Sequence, residues 1–117
     1  MVGPCFAGKT TLAKGLITLG YLVRVIAQEH SFAPRMWQII THPDQLVFLD
    51  VSYPSAQQRR WMTWTLADWE EQQHRLRHAR EHCDLYLQTD ELTPVQVLAK
   101  TVAFLRLQAV FPQPPVV

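Results

Sequence analysis

The sequence predicts an α/β domain in three layers, with a mostly parallel sheet between helices. Three observations predict it. Short apolar runs alternate with amphipathic helical stretches along the whole chain, which is the pattern of a parallel sheet with crossover helices. The run 46–51, "LVFLDV", is almost unbroken in its apolar character, as a strand covered on both faces must be. Two capping boxes, Thr65 with Asp68 and Thr93 with Gln96, start helices in the second half.

Size and composition set the frame. The chain has 117 residues, which suits one domain with a modest core, placed at residues 1–110. A proline-rich tail, "FPQPPVV", covers residues 111–117 and is expected to be irregular. Hydrophobic residues make up 48% and charged residues 18%, so the chain is expected to fold rather than stay disordered. No apolar run approaches the roughly 18 residues that cross a bilayer, and no secretory leader is expected. The formal net charge of +1 gives no footprint for nucleic acid or a membrane surface. Two cysteines, Cys5 and Cys83, are too few for a disulfide framework and fit a cytoplasmic protein.

The elements follow in order. Residues 10–19 place Leu12, Leu16 and Leu19 on one helical face with Ala13 beside them, and Gly20 is the stop. Residues 21–27, "YLVRVIA", are short, apolar and β-branched, which predicts a strand. Ser31 is a candidate cap for a short helix with Pro34 in its first turn and Met36, Ile39 and Ile40 on one side. His42, Pro43 and Asp44 end it. After the strand at 46–51, Pro54 opens a polar helix to about residue 62. The Thr65 box starts a helix predicted to run to about residue 82. A strand is expected at 84–88. The Thr93 box, with Pro94 at the first helical position, starts a last helix whose buried stripe holds Leu98, Val102 and Leu105.

Residues 3–10, "GPCFAGKT", match G-x-x-x-x-G-K-T at every defined position. That spacing builds a phosphate-cradling loop. Gly3 and Gly8 let the backbone approach phosphate oxygens, and Pro4, Cys5, Phe6 and Ala7 supply the turn between them. The helix behind the loop adds its positive end. Lys9 would reach the β- and γ-phosphates, the Thr10 hydroxyl would ligate Mg²⁺, and Thr11 would reach the α-phosphate. The helix that begins at Lys9 is the context this motif requires. Such a loop normally follows a buried strand, and only Met1 and Val2 precede it. Either the reading frame begins too late, or the chain is a reduced form that tolerates the gap; Met1 and Val2 are candidates for a stub of strand.

With these stretches in view the chain resembles the P-loop kinases of small molecules and nucleotides, the shikimate-, thymidylate- and adenylate-kinase group. "GPCFAGKTTLAKGL" looks like the group's loop and first helix. "VFLDVSYPSAQQRR" looks like its strand-plus-helix segment, with Asp50 and Arg59 nine residues apart. "RLRHAREHCDLYLQTDELTPVQVLAKTVAFL" looks like its closing segment, with an arginine, a strand, "TD" and a last helix. The resemblance implies a P-loop NTPase fold whose central first strand is missing or reduced to a stub. It implies ATP as phosphoryl donor, with Mg²⁺. By position, Arg59 matches the arginine that covers adenine, and Arg75 matches the lid arginine that reaches phosphate or acceptor. Lys9 and Arg75 are thus the expected catalytic pair. There are departures: "RWMTWTLADWEEQQH" stands where the lid usually carries another arginine, and "QEHSFAPR" stands where an acceptor pair is expected. Glu29, His30 and Arg35 are the acceptor-side candidates. No guanine-reading Asn-Lys-x-Asp motif is present, which favours ATP over GTP.

Other residues carry two readings each. Asp50 ends an apolar strand and would hold Mg²⁺ through water, or serve the strand alone. Glu29 lies after a strand's C-terminal end and would act as a base toward an acceptor hydroxyl, or sit in a solvated loop. Arg75, Arg77 and Arg80 share a helix, as a solvated face or as phosphate ligands. Trp61, Trp64 and Trp69 are core, or a stacking or partner surface. Trp37 is expected in the core. Cys5, beside a helix N-terminus, is a candidate reactive thiol or a plain loop residue. His74, His78 and His82 recur at i, i+4 and i+8, but no histidine or cysteine shows a metal-ligand spacing along the chain. The functional expectation is an ATP-binding kinase acting on a small molecule or nucleotide. The alternatives are a nucleotide-binding protein or weak ATPase without an acceptor, or an inert truncated form.

Overall fold

The computed structural model describes residues 1–41, 43–59 and 64–112. Helix and strand are mixed. The loop leads into α1, Lys9–Thr18, followed by a single 3₁₀ turn at Gln28–His30 and by α2, Met36–Thr41. Then come β1, Val47–Asp50, and three helices: α3, Tyr53–Arg59; α4, Leu66–Arg75; and α5, Arg77–His82. The chain closes with β2, Leu85–Gln88, and α6, Pro94–Leu107. No helix among the described residues is long and apolar enough to cross a membrane.

β1 and β2 pair in parallel, Val47 opposite Leu85 through Asp50 opposite Gln88. Val2 extends the pairing on the other side of β1: its N–H donates to Val47 and its carbonyl accepts from Leu49, both at 3.0 Å. Residues 21–27 do not form the predicted strand. Arg24 and Ile26 among them meet Met1: its nitrogen donates to the Arg24 carbonyl at 3.0 Å, and its carbonyl accepts from Ile26 N–H at 3.0 Å. That is the bonding pattern of one parallel bridge. Two residues therefore stand between two neighbours, and they give this segment too short a ladder to register as a strand.

β1 is buried at all four positions and feeds two clusters. Val47 and Leu49 join Leu12, Leu16, Val97 and Leu105 from α1 and α6. Leu46 and Phe48 join Val2, Ile26, Trp37, Leu76 and Ala79 on the other side. α1 and α6 come close because residue 15 is glycine: a Cβ there would lie 3.2 Å from Leu98. The capping boxes form as the sequence implies. Thr65 accepts from Asp68 N–H while the Asp68 carboxylate accepts from Thr65 N–H, and Thr93 and Gln96 do the same for α6.

Four local expectations are corrected. The helix after Thr65 breaks at Leu76, which is fully buried and separates α4 from α5. Ser31 caps no helix; its hydroxyl accepts from Ala33 N–H two residues on, a local turn. Ile39 and Ile40 are exposed, and Trp37 is the side chain that α2 buries. Leu19 is about half exposed, so α1 buries Leu12, Ala13 and Leu16 instead. The end of the helix opened by Pro54, and Trp61 with it, lie outside the described residues.

Candidate functional site

The loop is folded as a cradle. Gly3 has φ +155°, and a Cβ on it would stand 2.0 Å from the Leu49 carbonyl oxygen, so only glycine lets the chain leave the stub against β1. Phe6 is held at φ 68°, an uncommon conformation for a side chain with a Cβ. Its ring meets Trp64 edge-on, with centroids 5.2 Å apart. Gly8, at φ 96°, precedes the first turn of α1.

A cavity of about 900 Å³ opens above the cradle. Pro4 to Thr11 line it from the loop and α1, Glu29 and His30 from the 3₁₀ turn, Trp64 from the segment before α4, and Asp68, Glu71, Gln72 and Arg75 from α4. A second cavity of about 250 Å³ adjoins it through Phe6, Ala7, Gly8 and Thr11, and is walled by Arg59, Thr89, Leu92, Pro94 and Val97. Most of the sequence-predicted site thus comes together.

Lys9 is folded over the cradle. Its ammonium donates to the Gly3 and Pro4 carbonyls and pairs with Glu29 Oε2, and its side chain is only 11% exposed. Glu29 is buried, and its Oε1 has no hydrogen-bond partner. Arg75 donates to the Glu29 carbonyl at 3.4 Å, pairs with Glu71 at 3.0 Å, and lies over the Phe32 ring at 4.3 Å. Arg59 fastens three pieces together: its guanidinium donates to the Phe6 carbonyl at 3.1 Å, to Thr89 Oγ1 at 3.0 Å and to the Thr89 carbonyl at 2.6 Å. Its position on the wall of the second cavity follows from that grip.

Two expected residues stand elsewhere. The Asp50 carboxylate is not on the wall of the loop cavity. It accepts from Tyr86 Oη at 2.6 Å, Gln73 Nε2 at 3.0 Å and Val51 N–H at 2.9 Å, with Arg80 at 3.5 Å. Burial first, then the bond to Asp50, holds the Tyr86 phenol well above its usual range. Arg35 is exposed and lines neither cavity, so Glu29 and His30 are the acceptor-side candidates at the site.

Sequence reasoning missed Gln72 and Thr89. Gln72 reaches from α4 into the loop: Cys5 N–H donates to its Oε1 at 2.9 Å, and its Nε2 donates to Cys5 Sγ at 3.3 Å. Nothing in a polar helix face marks that glutamine. Thr89 is buried, with its Oγ1 3.0 Å from the Ala7 carbonyl and 3.1 Å from the Asp50 carbonyl. Its place in "TD" after an apolar strand was the available signal. Trp64 is buried and Trp69 half-buried, with Trp69 Nε1 donating to the Val51 carbonyl at 3.1 Å, so both serve the core. The histidine series is split by the break at Leu76: His78 stacks on His82 at 4.1 Å, while His74 sits beside Arg77.

No protein-family model, curated protein or solved structure matches the chain. The class that the architecture itself defines is a mixed helix–strand domain with a small parallel sheet and a glycine-bordered loop at the N-terminus of α1.

Proposed function

We propose that the protein binds ATP with Mg²⁺ through residues 3–11 and transfers the γ-phosphoryl group to a small molecule or nucleotide, on a three-layer α/β/α scaffold of P-loop type. One observation carries this reading: the G-x-x-x-x-G-K-T loop wraps an open cavity at the head of α1, with the Lys9 ammonium drawn over it. The burial of β1 between two clusters agrees with helices on both sides of the sheet. Met1 and Val2, bridging Arg24 and Ile26 on one side and β1 on the other, stand where the strand before such a loop runs.

The residues fit the ligand. Loop amides and Lys9 suit the phosphates, and the Thr10 hydroxyl would hold Mg²⁺, which neutralises charge on the phosphates when bound. The second cavity has an apolar floor of Leu92, Pro94 and Val97 beside Arg59, suited to a flat base. Phosphate binding draws Lys9 off Glu29. That frees a carboxylate on the acceptor side, where Glu29 would take the proton of an acceptor hydroxyl and Arg75 would steady the transferring charge. The hydroxyl oxygen then bonds to the γ-phosphorus, and ADP leaves.

A second reading, nucleotide binding without transfer, is favoured by Glu71, which lines the cavity and holds the proposed transfer residue Arg75 in an ion pair at 3.0 Å. Thermal-shift titration with ATP, ADP and GTP plus Mg²⁺ tests binding. ATP is expected to raise the midpoint of the native chain and to leave the Lys9→Met, Glu29→Gln double variant unmoved. Equal shifts in both would end the loop assignment, and no shift in either would leave the fold inert. ADP release that requires an added acceptor separates transfer from binding alone.

A further inference from the structure

We propose that Cys5, Glu29 and His30 form a binding site for a thiophilic divalent cation of the zinc type. One ligand atom from each residue lies within 4.8 Å of the others: the Cys5 sulfur, a His30 ring nitrogen and a Glu29 carboxylate oxygen. Cys5 Sγ and His30 Nε2 stand 3.6 Å apart. Zinc bonds of about 2.3 Å to sulfur and about 2.0–2.1 Å to nitrogen, at a roughly tetrahedral angle, set those atoms about 3.5–3.6 Å apart. The two side chains thus stand at the separation a shared ion requires.

A second, independent observation points the same way. Glu29 is 4% exposed, and its Oε1 is buried with no hydrogen-bond partner, while Lys9 occupies only Oε2. A buried carboxylate oxygen without a donor is costly, and a cation satisfies it. Cys5 is also positioned from behind: Gln72 accepts its N–H and donates to its sulfur at 3.3 Å. All three residues line the 900 Å³ cavity, from which water would supply a fourth ligand. The donor set of thiolate, imidazole and carboxylate selects zinc and related ions over magnesium. Binding releases the thiol proton of Cys5 to solvent. Because the ion would sit beside Lys9 in the loop, it would compete with a polyphosphate for the same cradle.

The test is a Zn²⁺ titration of the full chain against a chromogenic chelator, with Co²⁺ absorption as a readout of sulfur ligation. One equivalent is expected, with affinity lowered by about tenfold or more in Cys5→Ser and in His30→Ala, and unchanged in Cys83→Ser and His78→Ala. Circular dichroism checks that each variant folds. Alkylation by iodoacetamide gives a reading on the native chain: Zn²⁺ is expected to protect Cys5 and not Cys83. Absence of stoichiometric binding, binding that survives Cys5→Ser, loss in His78→Ala, or no protection of Cys5 would each overturn the site. None of these readouts depends on nucleotide, so a failure of ATP binding leaves the metal result standing.

Discussion

Gly3 and Gly8 are the same residue type under different constraints. A side chain at Gly3 collides with the backbone of Leu49, so Gly3→Ala is expected to cost about 3 kcal/mol or more and to loosen the stub from β1. Gly8 has nothing within 4 Å of a built Cβ, so Gly8→Ala meets only the cost of its positive φ, about 1 kcal/mol. Urea unfolding of the two variants checks the order; equal losses would contradict it. Lys9 pairs with Glu29 in the fold and is the proposed phosphate ligand. Lys9→Met strands Glu29 as a buried, unpaired carboxylate and is expected to lose about 3 kcal/mol. Adding Glu29→Gln is expected to restore most of that stability without restoring a nucleotide response, which separates the ammonium's structural role from its ligand role.

At the scale of elements, α4 matters most because it both caps itself and supplies the site. Thr65→Ala and Thr93→Ala each remove one half of a capping box and are expected to cost about 1 kcal/mol. The boxes serve different helices, so the double variant should show the sum, read from denaturant midpoints. Thr65→Ala carries an added consequence. Fraying α4 loosens Gln72 and Arg75, so Cys5 should become more reactive toward iodoacetamide in that variant and not in Thr93→Ala. The break at Leu76 has no glycine or proline behind it. Leu76, fully buried, stands at the break with φ −93° and ψ −2°, and the break leaves His74 and His78 on separate helices.

At the scale of the molecule, Met1 and Val2 lie between β1 and residues 24–26. Burial, and then the charge of Lys9, lower the Met1 amine from 8.0 to about 6. A base whose folded pKa is depressed binds its proton more tightly when unfolded. Stability is therefore full above about pH 8 and falls as pH drops from 8 toward 6, by roughly 2–3 kcal/mol at most. Unfolding midpoints at pH 8.5 and 5.5 should show this slope, and a chain acetylated at Met1 should lose that part of it. The cavity beneath Met1, about 430 Å³, is walled by Tyr21, Leu22, Val23, Gln45 and Val47, the flanks between which the stub lies. Tyr21 Oη is buried there without a partner.

The amino-acid sequence by itself determined what depends on near neighbours. Helical periodicity found α1 and α6, the boxes at Thr65 and Thr93 found their helix starts to the residue, and the apolar run at 46–51 found β1. The loop was legible because its chemistry is written in eight consecutive residues. Tertiary structure alone decided which distant groups share a space. Cys5 meets Gln72 across 67 residues and His30 across 25. Asp50 is claimed by Tyr86, 36 residues on. Arg59 grips Thr89, 30 residues away. Such pairings follow from how β1, β2 and α4 pack, and packing selects on shape and burial summed over the whole core, for which no local spacing of residues carries a signal.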